Sequence, residues 1–439
     1  MVNSPDCWDS WTAQPTRGGS VTRRGQGSGR FRAVRGALAA LTALGTLAGA
    51  ALLGAAPASG VPGAAPAATE IAPGVEYRDY DIPTPRGTAH AHVLDVDLRH
   101  PRVRVGLLYP GAVGARQTVS AMADQEGAVG AVNGDFFNIT ETQHPGVEAT
   151  GAPVGPAIAD GDTLKAAVPN GQRFGPALPP GTTTEDVIGV GADRRARLDR
   201  MTLDGSVRTR EARLPLGGLN QYALPVGSVG AFTSDWGVTS RVRATCGTDT
   251  DRGAPCSTDT YEVTVRHGRV ATVADAPGRG AIAPGTTVLV GREAGAQQLR
   301  KLAVGDPVHV RHRLVPSVSS VPYRFVLGGY PLLRAGAPLP GLDDRTAAVR
   351  TAAGIDEGGR RLILLALDGA PEYRGGLTIA EVAASLRQLG ADDGFSLDGG
   401  GSSTLAAREP GAPGVSVRNH PSGGAERPVP NGIGVFSRL

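Results

Sequence analysis

The chain has 439 residues, 40% of them hydrophobic and 19% charged, which is enough for two to three domains and a sizeable core. Its 44 basic and 41 acidic side chains leave a net charge of +3, and only 4% of residues are aromatic. That balance excludes a nucleic-acid binder built on a basic stripe or on stacking rings.

Residues 1–35 carry six arginines against Asp6 and Asp9, and an uncharged Ala/Leu/Gly run follows from Gly36 to Ala56. Small residues and prolines then continue to Ala68. Basic, apolar and small-residue regions in that order make a secretory signal peptide, so residues 1–68 are expected to be a cleaved leader and the mature chain secreted. A retained membrane anchor is the alternative, weakened by the many Ala, Gly and Thr residues in the run. Removing the leader leaves 38 basic against 39 acidic residues. The basicity therefore belongs to the leader, and neither nucleic acid nor, after cleavage, a membrane is expected as a partner.

From Ala89 to Tyr109 apolar and polar residues alternate, predicting two strands around Arg99-His100-Pro101-Arg102. His90 and His92 share one face of the first strand. They are read as an exposed face, because no third metal ligand is evident. Thr118 to Gln125 is a short helix candidate, and Gly127 to Val132 a short strand running into Asn133-Gly134-Asp135-Phe136-Phe137-Asn138. Residues 150–180 are loop-rich. From 186 to 315 the pattern is mostly β, as in Tyr261 to Val265, Val270 to Val273 and Val288 to Val290, with a helical turn near Gln297 to Leu302. Cys246 and Cys256 flank a polar loop in an exported chain, and a disulfide is expected there rather than a zinc site.

Arg361 to Leu367 is a continuous apolar run, hence a buried central strand, and it ends in Asp368-Gly369. Leu377 to Leu389 is the strongest helix. Thr378 and Glu381 fit a capping box, Val382, Leu386 and Leu389 form the inward stripe, and Gly390 closes it. Gly394 to Leu397 is a further strand before Asp398-Gly399-Gly400-Gly401-Ser402-Ser403-Thr404. The expected fold is α+β: a mixed sheet core with packed helices plus a β-rich inserted subdomain. The expected division is leader 1–68, N-terminal catalytic part 69–184, insertion 185–315 and C-terminal catalytic core 316–439.

Three motifs carry chemistry. In the Asp398 run, three glycines allow consecutive amides to converge as an anion nest, beside a carboxylate able to orient water or a sugar hydroxyl. It lacks the lysine of a Walker loop and the Gly-x-Ser-x-Gly of a hydrolase elbow. Arg350-Thr351 offers a planar fork suited to phosphate, with a structural ion pair as the plain alternative. Asn133-Gly134-Asp135 places an amide and a carboxylate at a strand end, which is also ordinary turn chemistry.

Order joins these motifs. Asn133-Gly134-Asp135-Phe136-Phe137 is followed by Leu327-Gly328-Gly329-Tyr330-Pro331, Arg350-Thr351-Ala352-Ala353-Gly354, Leu367-Asp368-Gly369, the Asp398 run, and Arg427-Pro428-Val429-Pro430-Asn431. In this series the chain resembles the phosphodiester glycosidase family, over residues 75–439 and most densely over 325–437. The resemblance implies a hydrolase that splits a sugar-1-phosphodiester, N-acetylglucosamine-1-phosphodiester-like, into free sugar and phosphomonoester; a cell-envelope glycan is a further candidate substrate. Under it, Arg350, Thr351, Gly399, Gly400, Gly401 and Ser402 hold the phosphate. One of Asp398, Asp368 or Asp135 acts as base or nucleophile, and Asn133 and Asn431 give secondary hydrogen bonds. The sequence demands no cofactor, although several acids at glycine turns could hold a divalent metal. The rival classes are a non-catalytic glycan-binding protein and a metal-dependent phosphodiesterase. The latter wants a two-metal cluster rich in His and Asp, and the eight histidines here are scattered.

Overall fold

The computed structural model describes residues 68–438. The expected leader therefore lies outside the described residues, apart from Ala68. The described residues form sheets of eight, eleven and five strands. Only three α-helices accompany them, Val119–Glu126, Ala294–Leu299 and Ile379–Gln388. The expected α+β class is thereby corrected: the described residues are predominantly β, and among them no layer of packed helices covers a mixed sheet.

In the eight-stranded sheet Arg361–Leu367 lies between Gly87–Asp97 and Thr351–Asp356, antiparallel to both. Every other side chain faces a different core. Ile363, Leu365 and Leu367 meet Val382 and Leu386 of the helix Ile379–Gln388. Leu362, Leu364 and Ala366 meet Val132, Ile433 and Val435 of the five-stranded sheet. A strand covered on both faces has no polar positions to alternate, which is why its sequence reads as one apolar run. The strand–helix–strand unit from Arg361 to Leu397 does form. Thr351–Asp356 lies between its two strands and pairs antiparallel with each, so the unit is not the parallel pair that α/β folds repeat.

The helix Ile379–Gln388 carries its capping box: Glu381 N donates to Thr378 Oγ1 at 3.2 Å, and Thr378 N donates to Glu381 Oε2 at 2.8 Å. The eleven-stranded sheet takes its strands from Asp186 to Pro316 and also from Ala157–Ala159, Asp162–Lys165 and Tyr323–Gly328. It has its own core around Val207, Val263 and Leu289. Cys246 and Cys256 form the expected disulfide, closing a loop across a separation of 10 residues. Cys256→Ser is expected to lower stability by about 2–3 kcal/mol, because the unfolded chain regains the loop's freedom. Thermal denaturation of the variant checks this, and an unchanged Tm would contradict it.

Candidate functional site

The sequence motifs meet where the strands Gly130–Asn133 and Asp393–Leu397 end side by side. Main-chain ties hold the two ends together. Asp398 N donates to Gly134 O at 2.8 Å, and Gly134 N donates to Asn431 O at 3.0 Å. Buried side chains complete the brace. Asn133 Nδ2 donates to Asp398 O at 2.7 Å, while its Oδ1 accepts from Thr351 Oγ1 at 2.8 Å and Thr404 N at 3.0 Å. Asn431 Oδ1 accepts from Asp135 N at 2.9 Å. Asn133, Thr351 and Asn431 were expected to contact substrate. The structure places them in this hydrogen-bonded brace around the two aspartates. A Cβ on Gly134 would overlap Asn431 Oδ1, so the junction requires glycine there.

Asp135 is buried. Its Oδ2 accepts from Gly155 N at 2.6 Å, and its Oδ1 is buried with no hydrogen-bond partner. A Cβ on Gly328 would lie 2.5 Å from Oδ2, so two glycines, Gly155 and Gly328, make room for the carboxylate. The Gly155 peptide is gripped from its other end by Lys165. The fully buried Lys165 Nζ donates to the carbonyls of Gly155, Ala166 at 2.6 Å and Val154 at 3.2 Å. Burial pushes the Asp135 carboxyl up, aided by the charge of Asp398 and opposed by Lys165, the Gly155 amide and Arg173. Burial pushes the Lys165 ammonium down, and Asp135 opposes that shift. Arg173 lies 4.4 Å above the Phe136 ring and 5.2 Å from the Tyr330 ring, with Nη2 buried and unpartnered.

Asp398 is only half-buried and is the more exposed of the two carboxylates. Burial raises its carboxyl to about 6. The Ser402 hydroxyl, the Arg427 charge, the Gly399 amide and the Arg173 charge all hold it down against that effect. Three of the four amides of the expected anion nest are engaged within the protein. Gly399 N donates to Asp398 Oδ1 at 3.0 Å, Gly400 N to Val349 O at 2.8 Å, and Ser402 N to Gly399 O at 3.2 Å. The run coils as the 3-10 turn Gly400–Ser402, closed by Ser402 N to Gly399 O and by Ser403 N to Gly400 O at 3.1 Å. Its glycines serve a different end: a Cβ on Gly401 would overlap the Arg427 guanidinium. Arg427 Nη1 in turn donates to Ser402 Oγ at 3.4 Å.

Arg350 and Asp368 are held mainly by other partners, although Arg350 lies against Gly399 and its charge interacts with that of Asp398. Arg350 is buried and donates from Nε to Leu377 O at 3.2 Å and from Nη2 to Thr346 O at 2.7 Å, so most of its fork braces the chain. Asp368 follows the strand Arg361–Leu367, which Thr351–Asp356 separates from the strand that leads into Asp398. Its Oδ1 accepts from Ala370 N at 2.7 Å, and its Oδ2 accepts from His420 N at 3.0 Å. His420 Nδ1 at 2.9 Å and His92 Nε2 at 3.2 Å also meet Oδ2. Burial works to raise the Asp368 carboxyl, but these hydrogen bonds outweigh it and hold the carboxyl below the usual carboxylate range. The exposed face expected at His92 is corrected by the same contacts: His92 is buried, with Nδ1 2.8 Å from the Tyr77 hydroxyl.

Among the described residues, two groups of side chains lie close enough to share a metal ion: Asp79, His90 and His92, and His144 with Cys246 and Cys256. The two sulfurs of the second group are joined in the disulfide. Neither group includes Asp135 or Asp398.

Lys165, Arg173 and the cationic role of Arg427 were missed from sequence. The one available signal was rarity. Lys165 is one of two lysines in a chain that otherwise uses arginine, and its place in the loop-rich 150–180 segment gave no periodicity to read.

Residues 259–436 match the family model of the phosphodiester glycosidases, so the resemblance read from the motif series holds over that stretch. No curated protein matches the chain. Among solved structures, a hypothetical protein from Synechocystis superposes with a TM-score of 0.63 at 21% identity, covering 83% of this chain and 62% of its own. This chain thus spans less than two thirds of that protein. A putative exported protein from Burkholderia pseudomallei K96243 superposes with a TM-score of 0.59 at 22% identity, covering 80% of this chain and 74% of its own. At these identities the two share the fold. The zebrafish N-acetylglucosamine-1-phosphodiester alpha-N-acetylglucosaminidase catalytic domain, auto-inhibited by its pro-peptide, gives a TM-score of 0.41 at 17% identity. That alignment covers 84% of this chain and 86% of the zebrafish domain.

Proposed function

We propose that the protein is an exported hydrolase that cleaves a sugar-1-phosphodiester, N-acetylglucosamine-1-phosphodiester-like, at the bond between the anomeric carbon and oxygen. The observation that carries this is Asp398: a half-buried carboxylate with a carboxyl raised to about 6, set among Ser402, Arg427 and Arg173. Glycoside cleavage needs a carboxylate at the anomeric carbon or at the attacking water. A phosphomonoester is a good leaving group, so stabilising its charge matters more than protonating it. Asp398 supplies the carboxylate. Arg427, hydrogen-bonded to Ser402 beside it, supplies the cation facing the departing phosphate. Asp135, buried behind, acts through Asp398 and is a positioning residue. The family match over 259–436 supports the reaction class. Export rests on the leader pattern of residues 1–68.

Purified protein incubated with a panel of sugar-1-phosphodiesters should release free sugar and phosphomonoester in equal amounts. Failure on the whole panel would overturn the assignment. Because Asp398 works ionised, kcat/KM should rise with pH through about 6 and level off above it. Asp368 belongs to the fold in this account. Asp368→Asn should lower stability by about 1–3 kcal/mol, as its histidine and amide partners lose a charged acceptor, while kcat stays within about threefold. A hundredfold loss of kcat at an unchanged Tm would return Asp368 to the chemistry.

A further inference from the structure

Beside the Asp398 site lies a groove of about 610 Å³ that reaches from Arg427 to Arg116, with Gly114, Ile139, Glu148 and Thr239 also in its walls. It is continuous with the chemistry through one side chain, because Arg427 donates to Ser402 Oγ at 3.4 Å, and both Arg427 and Ser402 help hold the Asp398 carboxyl down. Its cations outnumber its acids. Glu148 is the acid in its wall, and Arg279 pairs with it at 3.5 Å. Arg116 is exposed, yet it is seated. Its guanidinium stands 5.9 Å from the centre of the Phe137 ring. Its stem lies along Gly151, where a Cβ would come within 3.1 Å of Cδ. Gly151 also has φ +71°, a left-handed conformation that glycine adopts freely. A long side chain held by a ring face and a glycine loses less freedom on gripping an anion than a free surface arginine does.

We infer that this groove is the aglycone subsite and that it selects an aglycone carrying a second anionic group, a phosphate beyond the scissile one, gripped by Arg116. The inference rests on the proposed function, which places the scissile phosphate at Arg427. One guanidinium suffices for that phosphate. A second seated guanidinium further along the groove has no counterpart in a neutral aglycone, and Glu148 is already answered by Arg279.

The test compares two N-acetylglucosamine-1-phosphodiesters, one with a methyl aglycone and one with a 2-phosphoethyl aglycone. The wild type should favour the phosphoethyl substrate by about tenfold or more in kcat/KM, and Arg116→Ala should bring that ratio close to one. A wild-type ratio near one, or a ratio unmoved by Arg116→Ala, would overturn the inference. A second readout is independent of turnover. Calorimetry should show pyrophosphate binding about tenfold or more tighter than phosphate, with that difference erased in Arg116→Ala. Loss of turnover on both substrates with the calorimetric difference intact would remove the glycosidase assignment and keep the subsite. Turnover with no calorimetric difference would do the reverse.

Discussion

Asp398→Asn should lower kcat by about 10³-fold or more while leaving Tm at or above that of the wild type at neutral pH. The amide retains the size of the carboxylate and can still accept from Gly399 N, the main-chain hydrogen bond on Oδ1. It loses the charge that attacks the anomeric carbon or activates water. It also loses the partner that Ser402 and Arg427 are arranged around. Since burial works against ionisation of Asp398, removing its charge costs the fold nothing at neutral pH. The sign follows from linkage. An acid whose folded value is raised from 3.8 to about 6 binds more protons folded than unfolded between those values, so stability falls as pH rises through that window. The variant should lack that fall. Wild-type turnover in Asp398→Asn would remove the residue from the mechanism.

Lys165→Met should lower stability by about 3 kcal/mol or more at neutral pH, because it strips the compensating charge from the buried Asp135 and a donor from three carbonyls. The cost should grow with pH. Without the ammonium, Asp135 holds its proton to higher pH in the folded state, so the variant loses stability relative to the wild type as pH rises. The lowered ammonium acts in the same direction. Above its folded value the unfolded wild type binds more protons than the folded protein, and wild-type stability rises there while the variant's does not. Adding Asp135→Asn should recover part of the loss, since a neutral buried amide needs no counter-charge. Chemical denaturation at pH 5 and pH 8 reads both effects. A cost independent of pH, with strictly additive single variants, would show that Lys165 braces the loop without acting on Asp135.

What was legible in the sequence was what lies consecutively along the chain. The Asp398 run, the capping box at Thr378 and Glu381, and the apolar run from Arg361 to Leu367 each declare themselves within a dozen residues. The overall class was not legible. A strand, a helix and a strand in succession look the same whether or not an antiparallel strand such as Thr351–Asp356 slips between them, and pairing partners leave no local mark. His92 shows the same limit. Its strand alternates, so its face reads as open, but Tyr77 from the neighbouring strand and Asp368 from a segment 276 residues on both bond its ring. The glycines after Asp398 were visible, but their purpose was not. Three glycines fit a nest of converging amides equally well as a tight turn that clears space for Arg427, and only the packed neighbour decides between them. Lys165 and Arg173 gain their meaning from the buried carboxylate of Asp135, whose charge they face from other parts of the chain.

The central claim is that Asp398 directs cleavage at the anomeric carbon. Its most direct test is hydrolysis of an N-acetylglucosamine-1-phosphodiester in oxygen-18 water, followed by mass spectrometry of both products. The account predicts the label in the released sugar, and none in the phosphomonoester. Label in the phosphomonoester would mean that the phosphorus–oxygen bond breaks, and it would contradict the glycosidase mechanism built on Asp398.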